Sequence, residues 1–136
     1  MSTETGYQVR ANYPLVRRAG DFLYLSAVAA KQPDGTIAGA TVDALGTMSL
    51  DIRAQTRATI ENLRRSLQSA GADLGDLVEI TGYLVSMADF GGYNEVYNAH
   101  FAAGDGPART TVAVHQLPHP HYLVEMKGVA WKPEKG

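Results

Sequence analysis

Between residues 49 and 70 one face of the chain is apolar at helical spacing. Ile52, Thr56, Thr59, Ile60, Leu63, Leu67 and Ala70 make a single stripe, and Arg53, Arg57, Glu61, Arg64 and Gln68 fall on the opposite side. A stripe of this kind specifies an amphipathic helix that buries one face. Gly71 is placed to end it as a C-terminal cap. Glu61 and Arg65 stand four apart in the favourable order, a contribution of roughly 0.2–0.5 kcal/mol. A helix with one apolar face needs a surface to lie on, and the flanking segments supply strands.

Residues 22–29, FLYLSAVA, form a compact apolar run with aromatic and branched side chains and are expected to be a strand. KQPDGT (31–36) carries a tight-turn signature. Residues 37–48 are rich in Gly, Ala and Thr and read as a loop. DLVEITGYLVSM (76–87) returns to a strand pattern, and 88–104 give a second helix with Tyr93, Val96, Tyr97 and Phe101 inward. Strands follow near 109–116 and 122–131, and residues 1–12 read as a polar tail ending in a short edge strand. The order implies an α+β domain with two helices covering one face of a mixed sheet. Val28, Leu84, Val112, Val114, Val124 and Val129 exceed what two helices can cover, so the open face is expected to mediate oligomerisation.

The chain has 136 residues, enough for one domain with a real core, 1–136, and no internal repeat. A net charge of −2 without a basic stripe argues against a nucleic-acid surface. With no cysteine, thiolate zinc sites and cysteine nucleophiles are excluded. No stretch is long and apolar enough for a membrane helix, and the first ten residues do not have the pattern of a secretory signal. A cytoplasmic location is the expectation.

The segment GPARTTVAVHQLPHP (106–120) poses the functional question. By strand alternation Arg109, Thr111, Ala113 and His115 share one face, and Thr110, Val112 and Val114 share the other. Arg109 therefore heads a polar row just after a Gly-Pro turn. Its planar guanidinium suits a carboxylate; the alternatives are a salt bridge to a structural acid or a solvated strand end. Glu125, in LVEMKG, interrupts an apolar strand, where an acid is costly to bury. It is a candidate general acid/base, or else a rim residue paired with Lys127 or Arg109. Ser26 interrupts FLYLSAVA without a nucleophile-elbow motif, and a hydroxyl bonded to backbone accounts for it. His115, His119 and His121 crowd one segment, but Pro118 and Pro120 break their spacing and no acidic metal motif accompanies them. Ligand-contacting or exposed loop histidines fit better than a metal site.

Together LYLSAVA, the AQTR…IENL…AGA…MADF…NEVY string, PART and LVEMKGVA resemble the reactive-intermediate deaminase (RidA, or YjgF-like) family from Tyr13 to Ala130. The resemblance implies a chorismate-mutase-like α+β fold and a homotrimer with ligand clefts between subunits. It also implies hydrolysis of enamines and imines to a ketone and ammonia, with no metal or organic cofactor. Residue by residue, it makes Arg109 the carboxylate-binding arginine, Glu125 the acid that positions the attacking water, Ser26 the strand serine and Tyr13 the tyrosine at the site's edge. Thr111 stands where the family often has cysteine, Ala27 follows Ser26 where a glycine is usual, and Lys127 replaces a second acid. VHQLPHP in particular resembles the 2-aminomuconate deaminase branch. That resemblance implies a six-carbon dicarboxylate enamine as substrate and 2-oxohex-3-enedioate as product. Arg17, Arg18, His119, His121 and Lys127 are the candidates for holding the second carboxylate. The alternatives are a broad 2-aminoacrylate-type deaminase and a non-enzymatic trimer that binds small carboxylates.

Overall fold

The computed structural model describes residues 11–134; the expected edge strand within 1–12 lies almost wholly outside them. Among the described residues seven strands and two α-helices follow one another. Strands β1 (Val16–Ala19) and β2 (Phe22–Leu25) precede a small hairpin of β3 (Ala40–Val42) and β4 (Met48–Leu50). Helix α1 (Ile52–Ser69), strand β5 (Leu77–Leu84), helix α2 (Phe90–His100) and strands β6 (Ala108–Ala113) and β7 (Val124–Trp131) complete the domain. The main sheet has the order β1-β2-β7-β5-β6. Only β5 and β6 run parallel, joined through α2, and the other neighbours are antiparallel. Both helices pack on one face, as the sequence predicts.

Helix α1 starts three residues later than its periodicity suggests. The Asp51 carboxylate accepts hydrogen bonds from the Arg53 and Ala54 amides at 2.9 and 3.2 Å, a side-chain cap that fixes the first turn. Met48–Leu50 pair with Ala40–Val42, so residues 49 and 50 leave the expected helix and the stretch 37–48 is partly a hairpin rather than a loop. The helix ends as expected. Gly71 takes φ 82°, and the Ala72 amide reaches back to the Leu67 carbonyl at 2.9 Å. The expected Glu61–Arg65 pair does not form: Glu61 meets Arg64 at 3.3 Å, while Arg65 donates to the Asn62 side chain.

The core lies between the helices and the sheet. Ile60, Leu63 and Leu67 of α1 meet Leu23, Ile80, Leu84, Val124 and Met126, all essentially inaccessible. Val28, Leu84 and Val124 thus belong to the covered face, which corrects their expected place on the open one. The open face carries Tyr24, Tyr83, Val112, Val129 and the Phe22–Trp131 cross-strand pair instead. Phe22, Tyr24, Val112 and Trp131 are 40–50% exposed. The strand expected over 22–29 ends at Leu25, and the chain regains the sheet only at Val28, which bridges Met126.

Candidate active site around Arg109

Strand alternation in β6 is as expected. Arg109 pairs with Ile80 and Thr111 with Gly82, both on the helix-covered side, whereas Val112 pairs with Tyr83 on the open side. Arg109 enters the seam between β6 and α2. Its Nη1 donates to the Asn94 side-chain oxygen at 2.8 Å. Its Cζ lies 4.6, 5.2 and 5.8 Å from the ring centroids of Tyr97, Tyr93 and Phe90. Three ring faces in reach of one guanidinium hold it by cation–π attraction without neutralising it. No carboxylate of the described residues pairs with Arg109. The alternative of a structural salt bridge therefore does not apply among them.

The platform follows from helix geometry. Phe90, Tyr93, Asn94 and Tyr97 recur at three- and four-residue spacing and share the α2 face that Arg109 meets. The sequence marked Tyr93 and Tyr97 as helix core, which they are, but not as the bed of Arg109; Phe90 and Asn94 were missed altogether. The signal available was that same spacing opposite a strand headed by arginine.

Thr111 stands two residues beyond Arg109 on the same face, half-buried, with its Oγ1 3.0 Å from the Tyr93 hydroxyl. Tyr97 is buried beside them. Its hydroxyl has no hydrogen-bond partner among the described residues, and burial pushes its pKa up against the lowering effect of Arg109.

Glu125 lies elsewhere. It pairs with Tyr83 and so projects from the open face, opposite to Arg109. It is half-buried, and loss of solvent raises its pKa above the ordinary glutamate value. Lys127, two residues on, shares that face and is exposed. Neither expected pairing of Glu125, with Lys127 or with Arg109, forms an ion pair in the described residues. Ser26 bonds to backbone, its Oγ donating to the Pro14 carbonyl at 2.7 Å, which ties it to the segment that presents the exposed Tyr13.

The remaining candidates are not beside Arg109 in one chain. Arg18 lies on β1, the sheet edge opposite β6. It donates to the carbonyls of Gly20 and Lys132 at 3.1 and 2.8 Å and meets Glu134 at 3.4 Å. His119 and His121 occupy the loop after β6, beyond the end of the strand opposite Arg109, with ring centroids 5.0 Å apart. That loop is pinned to α1 by the buried Gln55, which donates to the His121 carbonyl at 2.7 Å and accepts from the Leu123 amide at 2.9 Å. No group of three His, Cys, Asp or Glu side chains among the described residues is placed to hold a metal ion. No helix among them is long and apolar enough to cross a membrane.

Comparisons with known proteins bear on the same features. The family model described as Endoribonuclease L-PSP matches residues 4–132. A RutC family protein of Pyrococcus horikoshii is 35% identical over 130 residues, covering 96% of this chain and 94% of that one. The 2-iminobutanoate/2-iminopropanoate deaminase of Salmonella typhimurium is 35% identical over 87 residues, 62% of this chain and 67% of its own. The crystal structure of the YjgF gene product of E. coli superposes with a TM-score of 0.78 at 26% identity, covering 96% of this chain and 95% of that one. With two helices laid on one face of a mixed sheet and the family model spanning nearly its whole length, the chain belongs to the RidA/YjgF family.

Proposed function

We propose that the protein is a hydrolytic deaminase of 2-imino acids, formed directly or by tautomerisation of an enamine, and that its substrate is a dicarboxylate of the 2-aminomuconate kind. One observation carries the reading most: Arg109 is a half-buried cation on an aromatic bed, oriented by Asn94 and paired with no carboxylate among the described residues. A partly dry guanidinium of this kind binds a substrate carboxylate tightly and fixes the orientation of the carbon next to it. The Salmonella relative's name supports the imine chemistry.

The step needs one acid/base group and no electron transfer. Water adds to the C=N carbon, a proton passes to nitrogen, and the tetrahedral aminocarbinol expels ammonia as the C=O bond forms. Glu125 suits the task because burial raises its pKa above the ordinary glutamate value, the direction that makes a carboxylate a better proton acceptor. It lies on the sheet face opposite Arg109, so one chain does not present both groups to one substrate. A homotrimer with clefts between subunits, where Arg109 of one subunit faces Glu125, Ser26 and Tyr13 of the next, resolves this. Exposed Phe22, Tyr24 and Trp131 on the open face supply apolar surface for such an assembly. Among the cations considered for a second carboxylate, Lys127 is the one on Glu125's own strand and face.

The test is ammonia release from 2-aminomuconate generated in situ, run beside 2-iminobutanoate, with Glu125→Ala as control. Turnover of the dicarboxylate far above that of the monocarboxylate, lost in the variant, is expected. Preference for 2-iminobutanoate would make the protein a general imine deaminase, and turnover of neither would end the enzymatic reading.

A further inference from the structure

Tyr93 is fully buried, yet its hydroxyl is spent on Thr111, the polar side chain that follows Arg109 in its row. Its ring passes beneath the guanidinium, and the phenol ends in the seam between β5 and β6, 3.0 Å from Thr111 Oγ1. Room for it exists only because residue 82, the cross-strand partner of Thr111, is glycine: a Cβ there would collide with the Tyr93 hydroxyl. Three positions on three elements are thus fitted to one hydrogen bond.

The direction of that bond follows from acidity. A phenol, with a pKa of about 10, is a far stronger acid than an aliphatic alcohol, so in a phenol–alcohol pair the phenol is the better donor. With the phenol as donor, Tyr93 gives its hydrogen to Thr111 Oγ1, and the Thr111 hydrogen is left for another acceptor. Thr111 is half-buried and two residues from Arg109 on the same face, so a carboxylate held by Arg109 is an acceptor in its row.

We propose that Tyr93 is a positioning residue: through its hydrogen bond it turns the Thr111 hydroxyl toward the substrate carboxylate that Arg109 holds. The inference rests on the deaminase reading only in taking Arg109 as the carboxylate holder.

The experiment measures 2-oxobutanoate binding by calorimetry, this being the ketone left by hydrolysis of 2-iminobutanoate, together with kcat and KM for that imine. Tyr93→Phe and Thr111→Val are each expected to weaken binding roughly two- to tenfold, the range of one lost hydrogen bond. Because the contact serves substrate and transition state alike, KM should rise with kcat changed by less than about twofold. The double variant should bind no worse than Thr111→Val alone, and Thr111→Ser should retain wild-type affinity. Wild-type affinity in a folded Tyr93→Phe protein, or additive losses in the double variant, would overturn the proposal. Arg109→Ala separates the two readings: if it abolishes binding while Tyr93→Phe keeps wild-type affinity, only the positioning role fails. If Arg109→Ala binds as wild type, the carboxylate-holder reading fails and takes this one with it.

Discussion

Arg109 and Glu125 lie on opposite faces of one sheet, Arg109 paired with Ile80 under the helices and Glu125 paired with Tyr83 away from them. If both act on one substrate, each cleft draws them from different subunits, and two inactive variants should rescue each other. Arg109→Ala and Glu125→Ala, mixed in equal amounts and refolded together, combine at random. In a cyclic assembly about one cleft in four then has both groups, so about a quarter of wild-type activity should return. Assay of the refolded mixture against each variant alone decides it, and absence of any recovery would mean that the two groups do not act together across a subunit boundary.

Glu125 should also leave a mark on stability. Burial raises its folded pKa above the unfolded value, so the folded state favours the protonated acid. The stability this contributes is fully present below the unfolded glutamate pKa, about 4.3, and is lost as pH rises through the folded value. Glu125→Gln imitates the neutral acid at every pH. The variant should therefore melt above wild type at pH 7, and the gap should close by about pH 4. Paired thermal melts across that range test it; a gap independent of pH would show that burial does not govern this group.

Both helices could be read from spacing because each buries a stripe, and the polar row of Arg109 and Thr111 could be read because a strand alternates. The hairpin of Ala40–Val42 and Met48–Leu50 could not: its strands are three residues long, too short to display a period. β1, VRRA, carries two arginines and owes its strand to pairing with β2 rather than to its composition. Alternation also fixes which residues of one strand share a face but not how one strand's faces match another's. That match depends on register, here Ile80 with Arg109 and Tyr83 with Glu125, and register is set by the assembled sheet. The separation of Arg109 and Glu125 was therefore invisible in the sequence, although it singled out each of them.

Gln55 tests what holds the histidine loop. It is fully buried and satisfies the His121 carbonyl and the Leu123 amide at once. Gln55→Leu keeps the bulk and leaves two backbone groups unpaired, at a cost of about 2–4 kcal/mol. Urea unfolding at fixed protein concentration measures it. A loss under about 1 kcal/mol would mean that water or the loop itself makes up the bonds.

Tyr93 and Tyr97 lie on the same face of α2 beneath the same guanidinium, yet removing their hydroxyls should act in opposite directions. Tyr93 gives its hydroxyl to Thr111, and Tyr93→Phe forfeits that bond, a loss of about 1 kcal/mol. The Tyr97 hydroxyl is buried without a partner among the described residues, so it bears the desolvation cost and gains nothing in return. Tyr97→Phe keeps the ring, its packing on Phe101 at 4.6 Å between centroids, and its contact with Arg109. It should stabilise the protein by about 1 kcal/mol, with 2-oxobutanoate affinity unchanged. Denaturant unfolding of the two variants side by side gives the signs directly. Destabilisation by Tyr97→Phe would show that its hydroxyl has a partner, such as an enclosed water, worth more than the cost of burying it.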